Sequence, residues 1–293
     1  MDWWFWPLCL FIFTLVIGII APISGVGGGV LFVPLTTAFF PFHVDFIRGA
    51  GLIMALTSAL SSAPQLTKKG LANIKIMAPV VIVSIVTSIL GGIVGLWITA
   101  AFPEGKYYVT IMLGIVLFII FVVMLTSKRV EFPEVKKVDS ISQKLGIAGA
   151  WFEPSLNRVV EYRTTNMAIA LPAFAAVGFI AGMFGLGAGW ANVPVLNLVM
   201  GAPIKVATST SMMIITVNDA AAAWVYLSRG AVLPIIVIPS VIGITIGARI
   251  GARLAVVARP RIVRYVVLAV MLMAAVLDIL KGLKGLGYVQ LPF

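Results

Sequence analysis

Long apolar runs recur along the chain and are separated by short polar or charged stretches. A helix needs about 20 mainly apolar residues to cross the hydrocarbon core of a membrane. Runs of this length predict eight spans, near residues 3–24, 46–66, 76–101, 107–126, 167–184, 206–227, 231–254 and 262–280. The pattern therefore predicts an all-α integral membrane protein with short loops.

Two further apolar pieces, residues 30–41 and 190–200, are too short to cross. Each follows a cluster of glycines, which comprises Gly25, Gly27, Gly28 and Gly29 in the first case and Gly185, Gly187 and Gly189 in the second. Glycine lets a helix stop and the chain turn without a steric clash at Cβ. A limb of about 12 residues rises only about 18 Å. We therefore expect two helices that break at glycines deep in the membrane.

The two glycine clusters belong to an internal repeat. Gly25 and Gly185 are 160 residues apart, and the same offset holds without a gap to about residue 95. Identical residues at this offset include Gly27 with Gly187, Gly29 with Gly189, Pro34 with Pro194, and Gly70 with Gly230. Glycine and proline have positional meaning in helices, so these matches carry more weight than matched valines. We interpret the chain as two homologous transmembrane repeats, 1–126 and 167–293, joined by a cytoplasmic linker, 127–166.

The orientation of the halves depends on what the broken helices do. A single kinked crossing in each half would make the halves parallel, whereas a hairpin would make them inverted. Cytoplasmic loops are rich in Lys and Arg, and only hairpins place the basic linker and Arg259, Arg261 and Arg264 on one side. We therefore predict two inverted repeats, each a glycine-broken helical hairpin plus three transmembrane helices, with about eight full spans and two short limbs. Lys281 and Lys284 fall outside in this arrangement.

Composition agrees with a membrane location and narrows the chemistry. Charged residues make up 11% of the chain, against roughly a quarter in soluble domains. The net charge of +11 comes from basic clusters between spans, which suits anionic lipid rather than nucleic acid. With one cysteine, Cys9, and one histidine, His43, we expect no metal site, no other cofactor and no disulfide within the chain. The sequence shows no nucleophile–base pair that would indicate an enzyme. It also shows no Walker motif that would indicate ATP binding.

The breaks are the first candidate site. Non-helical backbone at membrane depth persists only where protein or a water-filled cavity satisfies its polar groups, and paired breaks in two repeats point to a transport site. Each following limb begins with free N–H groups and the positive end of a helix dipole, which suit an anion. The glycines of both clusters are therefore predicted to bind substrate. The alternative is that they only let helices pack closely.

Polar residues within apolar spans form the second candidate group. Ser209, Thr210 and Ser211 lie in one run, Asn218 follows on the same helix, and Asn192 lies just beyond the second glycine cluster. Buried hydroxyls and amides need partners, and a polar substrate is one such partner. The alternative is that the hydroxyls bond back to carbonyls of their own helix.

Two ionisable residues complete the predicted site. Asp219 lies about 13 residues into its predicted helix, where an unpaired charge is costly. It is our candidate for carrying a coupling proton. Arg48 lies near the end of a span and is a candidate for attracting an anion.

Three stretches resemble the TauE/SafE family of membrane transporters. They are Gly25-Val26-Gly27-Gly28-Gly29 with Pro34, Gly182 through Gly189 with Val193-Pro194, and Ala207-Thr208-Ser209-Thr210-Ser211. The resemblance covers both halves and implies transport of sulfite, a sulfonate such as sulfoacetate, or another small organic anion across the cytoplasmic membrane of a prokaryote. The first half departs from the family pattern, since Arg48-Gly49-Ala50-Gly51 has no hydroxyl.

These patterns together predict a secondary transporter that works by alternating access of the two halves. Its expected partners are a small anionic substrate, the lipid bilayer and a coupling proton, and the expected direction is export. An anion channel built on the same inverted repeats is the alternative. Nothing in the sequence predicts a nucleic-acid partner.

Overall fold

The fold was derived from a computed structural model, which describes residues 4–24, 27–67, 70–127, 131–135, 137–153, 157–254 and 260–289. The first half contains α1 (Phe5–Ser24), α2 (Gly29–Phe39), α3 (Val44–Thr67), α4 (Ile74–Ala101) and α5 (Gly105–Thr126). The second contains α7 (Met167–Phe184), α8 (Gly189–Pro194), α9 (Ile204–Ser228), α10 (Pro234–Leu254) and α11 (Pro260–Gly285). A π-helical segment, Val195–Val199, extends α8. Each predicted span and short limb thus corresponds to a helix.

The predicted all-α membrane class is confirmed. Six helices of the described ranges are long and apolar enough to cross a membrane: Phe5–Ile23, Val44–Pro64, Ile74–Ala101, Gly105–Thr126, Met167–Phe184 and Pro234–Leu254. The sequence predicted eight full spans, and the two others correspond to α9 and α11. These helices have 25 and 26 residues, so they are long enough, but polar residues such as Asp219 and Asp278 lower their hydropathy. The chain is a multi-pass membrane protein.

The two broken helices are hairpins. At the second, the backbone N–H of Thr165 donates to Met200 O at 2.9 Å, and Asn166 Nδ2 donates to Val199 O at 3.0 Å. These bonds bring the end of the returning limb beside the start of α7. At the first, the Trp6 ring contacts Phe40 with centroids 5.5 Å apart. Both limbs therefore return to the side from which their hairpin starts, unlike a single kinked crossing.

Helix packing follows the predicted repeat. The main helix pairs are α1 with α10, α4 with α7, α3 with α9, and α5 with α11. In the repeat, α1 corresponds to α7 and α4 to α10, so the pair α1 with α10 is equivalent to the pair α7 with α4. The other two pairs each join a helix to its own equivalent in the other half. Two repeats related by a two-fold axis produce this arrangement. The division into repeats remains a prediction, and the packing supports it.

The offset of 160 residues also holds in close contacts between helices. A Cβ added to Gly18 would lie 2.7 Å from Ile244 O, and one added to Gly178 would lie 2.8 Å from Ser84 O. These two contacts are equivalent in the repeat, because Gly178 lies 160 residues after Gly18 and Ile244 lies 160 residues after Ser84. Small residues let membrane helices approach closely, so these glycines set the distance between α1 and α10 and between α7 and α4. Matched glycines thus serve matched helix contacts.

The linker has structure that the sequence did not predict. It contains α6 (Ser140–Lys144) and an antiparallel hairpin of β1 (Ala148–Glu153) and β2 (Arg158–Arg163). Asn73 Nδ2 donates to Tyr162 Oη at 2.8 Å, and Lys205 Nζ lies 2.7 Å from Glu153 Oε1. The linker therefore contacts the N-terminal ends of α4 and α9, which lie at one end of the helical bundle.

We expect the linker and the loop before α11 to lie on the same, cytoplasmic side. With single cysteines introduced as Lys137→Cys and Arg261→Cys in a Cys9→Ser background, both positions should react with an impermeant maleimide only from the cytoplasmic side. Labelling of position 261 from outside, with position 137 labelled from inside, would contradict the inverted arrangement.

Candidate functional site

The tips of the two hairpins contact each other in the interior. A Cβ on Gly29 would lie 2.7 Å from Leu186 O and 2.8 Å from Gly51 O. Neither neighbour is a flexible side chain, so a larger residue would push the two tips apart. The two helix breaks, which are distant in sequence, form a single region bordered by α3 and α9.

The predicted glycines differ in conformation. Gly27, Gly185 and Gly187 have φ angles of 88°, 71° and 72°, in the left-handed region that favours glycine. The other glycines of the clusters lie at the starts of the limbs: Gly28 precedes α2, Gly29 begins it, and Gly189 begins α8. Gly25 lies outside the described residues. The left-handed positions are the ones that require glycine for the backbone itself.

The N-termini of both limbs lie at this junction without a side-chain cap. Gly28 precedes α2 and Ala188 precedes α8, and neither position makes a side-chain capping hydrogen bond. The limb that starts with α8 extends through the π-helical segment to Val199, so both limbs have enough turns to carry a dipole. First-turn N–H groups and the dipole favour a negative ligand.

Buried polar atoms without partners surround the tips. Ser58 on α3 and Asn218 and Asp219 on α9 are 0% exposed. Five of the side-chain atoms that have no hydrogen-bond partner among the described residues belong to α3, α8 and α9: Ser58 Oγ, Asn218 Oδ1, Asp219 Oδ2, Asn192 Nδ2 and Trp190 Nε1. Buried polar groups are normally hydrogen-bonded, and each exception needs an explanation. A polar ligand at the tips would supply the missing bonds.

Contacts with the glycines locate two of these groups. A Cβ on Gly28 would lie 3.4 Å from the Cβ of Ser58, and a Cβ on Gly187 would lie 2.9 Å from Asp219 Oδ2. Ser58 therefore borders the first tip and Asp219 the second. Ser58 was not among the predicted site residues, although the repeat pairs it with Asn218, since 58 plus 160 is 218.

Asp219 has a single neutral hydrogen bond among the described residues. Its Oδ1 accepts from Asn218 Nδ2 at 3.0 Å, and no Lys, Arg or His of the described ranges forms an ion pair with it within 4.0 Å. The repeat places Ala59 at the equivalent position of α3, since 59 plus 160 is 219. A carboxyl group thus lies at one tip only, which makes the region chemically asymmetric.

The hydroxyl run lies nearer the start of α9 and has mixed partners. Ser209 Oγ donates to Lys205 O at 2.8 Å, a bond within its own helix. Thr210 Oγ1 accepts from the backbone N–H of Asn73 at 3.0 Å. Ser211 is buried, and its Oγ has no partner in the described ranges. Two of the three hydroxyls therefore have protein partners, and Ser211 does not among the described residues.

Arg48 is fully buried and bound by protein groups. Its Nη1 donates to Met183 O at 2.9 Å, its Nη2 donates to Gly95 O at 3.2 Å, and it forms an ion pair with Asp45. Tyr226 Oη also donates to Met183 O, at 3.0 Å. Cations and donors stabilise the C-terminal end of a helix, so Arg48 holds the end of α7 in place. Asp45 compensates its charge, while Arg48 Nε has no hydrogen-bond partner among the described residues.

No cluster of three or more His, Cys, Asp or Glu that could hold a metal ion occurs within the described ranges. The chemistry of the junction is thus that of backbone N–H groups, amides, an indole, hydroxyls and one carboxyl group. Such a set can bind a small polar molecule without a metal.

These features define the class of the protein. Apolar spans combined with two re-entrant hairpins, whose tips meet among buried polar groups, are the architecture of a polytopic membrane transporter. A family model described as "Sulfite exporter TauE/SafE" matches residues 10–277, and the chain belongs to this family.

A curated relative agrees with this assignment. The chain is 24% identical over 250 residues to the "Probable membrane transporter protein YunE" of Bacillus subtilis (strain 168), which covers 83% of this chain and 86% of that protein. No solved structure matches the chain significantly. The resemblance to the family predicted from the sequence is confirmed, and the protein is a membrane transporter.

Proposed function

We propose that this protein is a secondary transporter that moves a small anion across the cytoplasmic membrane by alternating access. The proposed substrates are sulfite, a sulfonate such as sulfoacetate, or a related organic or sulfur oxyanion. The proposed direction is export, coupled to protons. The observation that carries the proposal is the meeting of two uncapped helix N-termini with buried polar groups that have no protein partner.

Three of the five unpartnered atoms can donate a hydrogen bond, which suits an oxyanion better than a cation. Trp190 Nε1 and Asn192 Nδ2 are donors only, and Ser58 Oγ can donate. Together with first-turn N–H groups they surround the tips with hydrogen atoms that an oxyanion accepts. A sulfite or sulfonate group has several acceptor oxygens in a small volume and can use donors from both hairpins at once.

Asp219 disfavours anion binding when it is ionised and favours anion binding when it is neutral. A fixed carboxylate beside the second tip would repel the substrate, whereas a carboxylic acid can donate a hydrogen bond to it. Ionisation is costly at a fully buried position that lacks a cationic partner. We therefore assign Asp219 the coupling role: it holds a proton while the anion is bound and exchanges it with water after the anion leaves.

Two polar networks lie on opposite sides of the tips. On the side of α3's start, Arg48 and Asp45 hold the end of α7, and Thr99 Oγ1 donates to Asp45 Oδ2 at 2.9 Å. On the side of the linker, Lys205 bonds Glu153. Alternating access requires that the site opens to one side of the membrane at a time. We propose that each network holds the protein closed on its own side.

Transport by proteoliposomes tests the proposal. Purified protein should catalyse uptake of radiolabelled sulfite or sulfoacetate into the vesicles. The rate of uptake should change when a pH gradient is imposed across the vesicle membrane. Inorganic cations and neutral amino acids serve as negative controls. If no anion of the panel is transported above protein-free vesicles, the proposed function is wrong.

The same vesicles distinguish a carrier from an anion channel. In a carrier, unlabelled anion on one side accelerates the movement of labelled anion from the other side. A channel conducts ions far faster and shows no such exchange. Single-channel currents without counterflow would replace the transporter proposal with the channel alternative.

A further inference from the structure

A second buried carboxyl group lies away from the hairpin tips. Asp278 on α11 is 0% exposed, and neither of its oxygens has a hydrogen-bond partner among the described residues. An ionised carboxylate in such surroundings carries a large desolvation cost unless a charge or several hydrogen bonds compensate it. Asp278 has no part in the junction described above and therefore needs its own explanation.

Lys281 lies one helical turn further along α11 but does not pair with Asp278. Its Nζ donates to Thr37 O in the last turn of α2. No ion pair within 4.0 Å joins Lys281 to Asp278 in the described part of the chain. The Lys281 ammonium thus bonds a carbonyl and does not pair with the carboxyl group three residues before it. We expect this arrangement when the Asp278 carboxyl group is neutral.

The surroundings contain further polar groups. Thr36 and Thr37, both in the last turns of α2, are buried, and each hydroxyl lacks a partner in the described ranges. The α2 limb is the returning arm of the first hairpin, and α11 packs against it. The bond between Lys281 and Thr37 is thus a polar attachment of this limb to the rest of the bundle.

We propose that Asp278 is a proton-binding site that controls the attachment of the α2 limb to α11. With the proton on the carboxyl group, Lys281 bonds Thr37 O and the limb is attached, as in the structure. When Asp278 releases its proton to water, the carboxylate attracts the Lys281 ammonium and the limb loses that bond. Lys281 keeps its protons throughout, so the charge of the pair changes from +1 to 0.

Other ionisable neighbours do not replace Asp278. Residues 5–39, which include α1 and α2, contain no Asp, Glu, Lys, Arg or His, and Cys9 is their one thiol. On α5, Tyr107 lies against the end of α11, and Lys106 Nζ lies 4.8 Å from its ring centre. Glu104, just before α5, is exposed and bonded to Tyr108. Lys284 is the next ionisable residue of α11. The direction of the response follows from Asp278 itself: the carboxyl group holds its proton at low pH, when the limb is attached, and loses it at high pH, when the limb is released.

The role of this site in energy coupling rests on the proposed function, whereas proton binding and limb attachment do not. Asp278 is associated with the first hairpin, while Asp219 contacts the second. The two carboxyl groups are therefore separate, and they can be tested separately.

Hydrogen–deuterium exchange of residues 29–39 tests the proposal without any substrate. Exchange rates of the purified protein in lipid nanodiscs, corrected for intrinsic chemistry, should rise about tenfold across a single-proton transition, because a lost hydrogen bond to a charged group is worth at least that factor. Asp278→Asn should exchange slowly at every pH, and Lys281→Gln should exchange rapidly at every pH. Lys284→Gln is the matched control and should keep the transition.

Three results would overturn the proposal. They are a limb exchange rate that does not depend on pH in the unmodified protein, an unaltered transition in Asp278→Asn, and a transition that sodium shifts at constant pH, which would indicate a metal-cation site. A failure of anion transport in proteoliposomes would contradict the proposed function and leave these exchange results unaffected. In the transport assay, Asp278→Asn should retain anion exchange.

Discussion

Replacement of Gly187 by leucine should abolish anion transport while the protein still inserts into the membrane. Gly187 has φ of 72°, and the left-handed conformation costs other residues about 1–2 kcal/mol. A Cβ there would also lie 2.8 Å from the Ala55 side chain and 2.9 Å from Asp219 Oδ2. We expect transport to fall below about a tenth of the unmodified rate, the change that about 1.4 kcal/mol produces.

Graded variants separate the backbone requirement from the contact with Asp219. Gly27 has φ of 88°, and its nearest neighbour would be the end of the Ile215 side chain at 3.4 Å. Gly27→Ala should therefore reduce transport less than Gly187→Ala, and Gly27→Leu should abolish it. Gly230→Ala is the matched control, because Gly230 has φ of 69° and nothing within 4 Å of an added Cβ.

Uptake into proteoliposomes, normalised to the amount of inserted protein, measures these effects. Gly230→Ala should transport at nearly the unmodified rate, since it meets only the conformational cost. Normal transport by Gly187→Leu would remove the tips from the proposed site.

Replacement of Asp219 by asparagine should remove the response of transport to a pH gradient. Asparagine keeps the shape of the side chain and its bond with Asn218, but it cannot release a proton. Anion binding and exchange between equal concentrations should persist, because the neutral side chain resembles the protonated acid. The loss should be complete, since a proton that is never released cannot couple two fluxes.

Counterflow and gradient-driven uptake, measured on the same vesicles, test this expectation. Asn218→Ala provides a control that changes the neighbouring hydrogen bond and leaves the acid in place, so it should keep the pH response. An unchanged response in Asp219→Asn would leave Asp219 with a structural hydrogen-bond role.

The sequence by itself determined the membrane class, the helices and the family. Length and apolarity identify spans because lipid offers no partner to a backbone group, so a spanning chain has few structures available. The glycine clusters also predicted the positions of both breaks. Left-handed φ angles at Gly27 and Gly187 show why glycine occurs there. The division into two inverted repeats remains a prediction, which the matched helix contacts support.

Tertiary structure decided which polar residues meet. The sequence grouped Ser209, Thr210 and Ser211 with the breaks, but partners from α4 and from their own helix engage two of these hydroxyls. Arg48 is paired with Asp45. Residues that lie on one helix in a favourable pattern are separated in space by the rotation and tilt of that helix, and neither quantity can be derived from local sequence.

The junction of the two tips also depends on packing over long sequence separations. Gly29 meets Leu186, and Ser58 borders Gly28, because α3 and α9 pack together and against the limbs α2 and α8. Lys281 and Thr37 come together in the same way through α11 and α2. Hydropathy and glycine spacing report on each segment separately, whereas a binding site is formed by segments that only the folded bundle brings into contact.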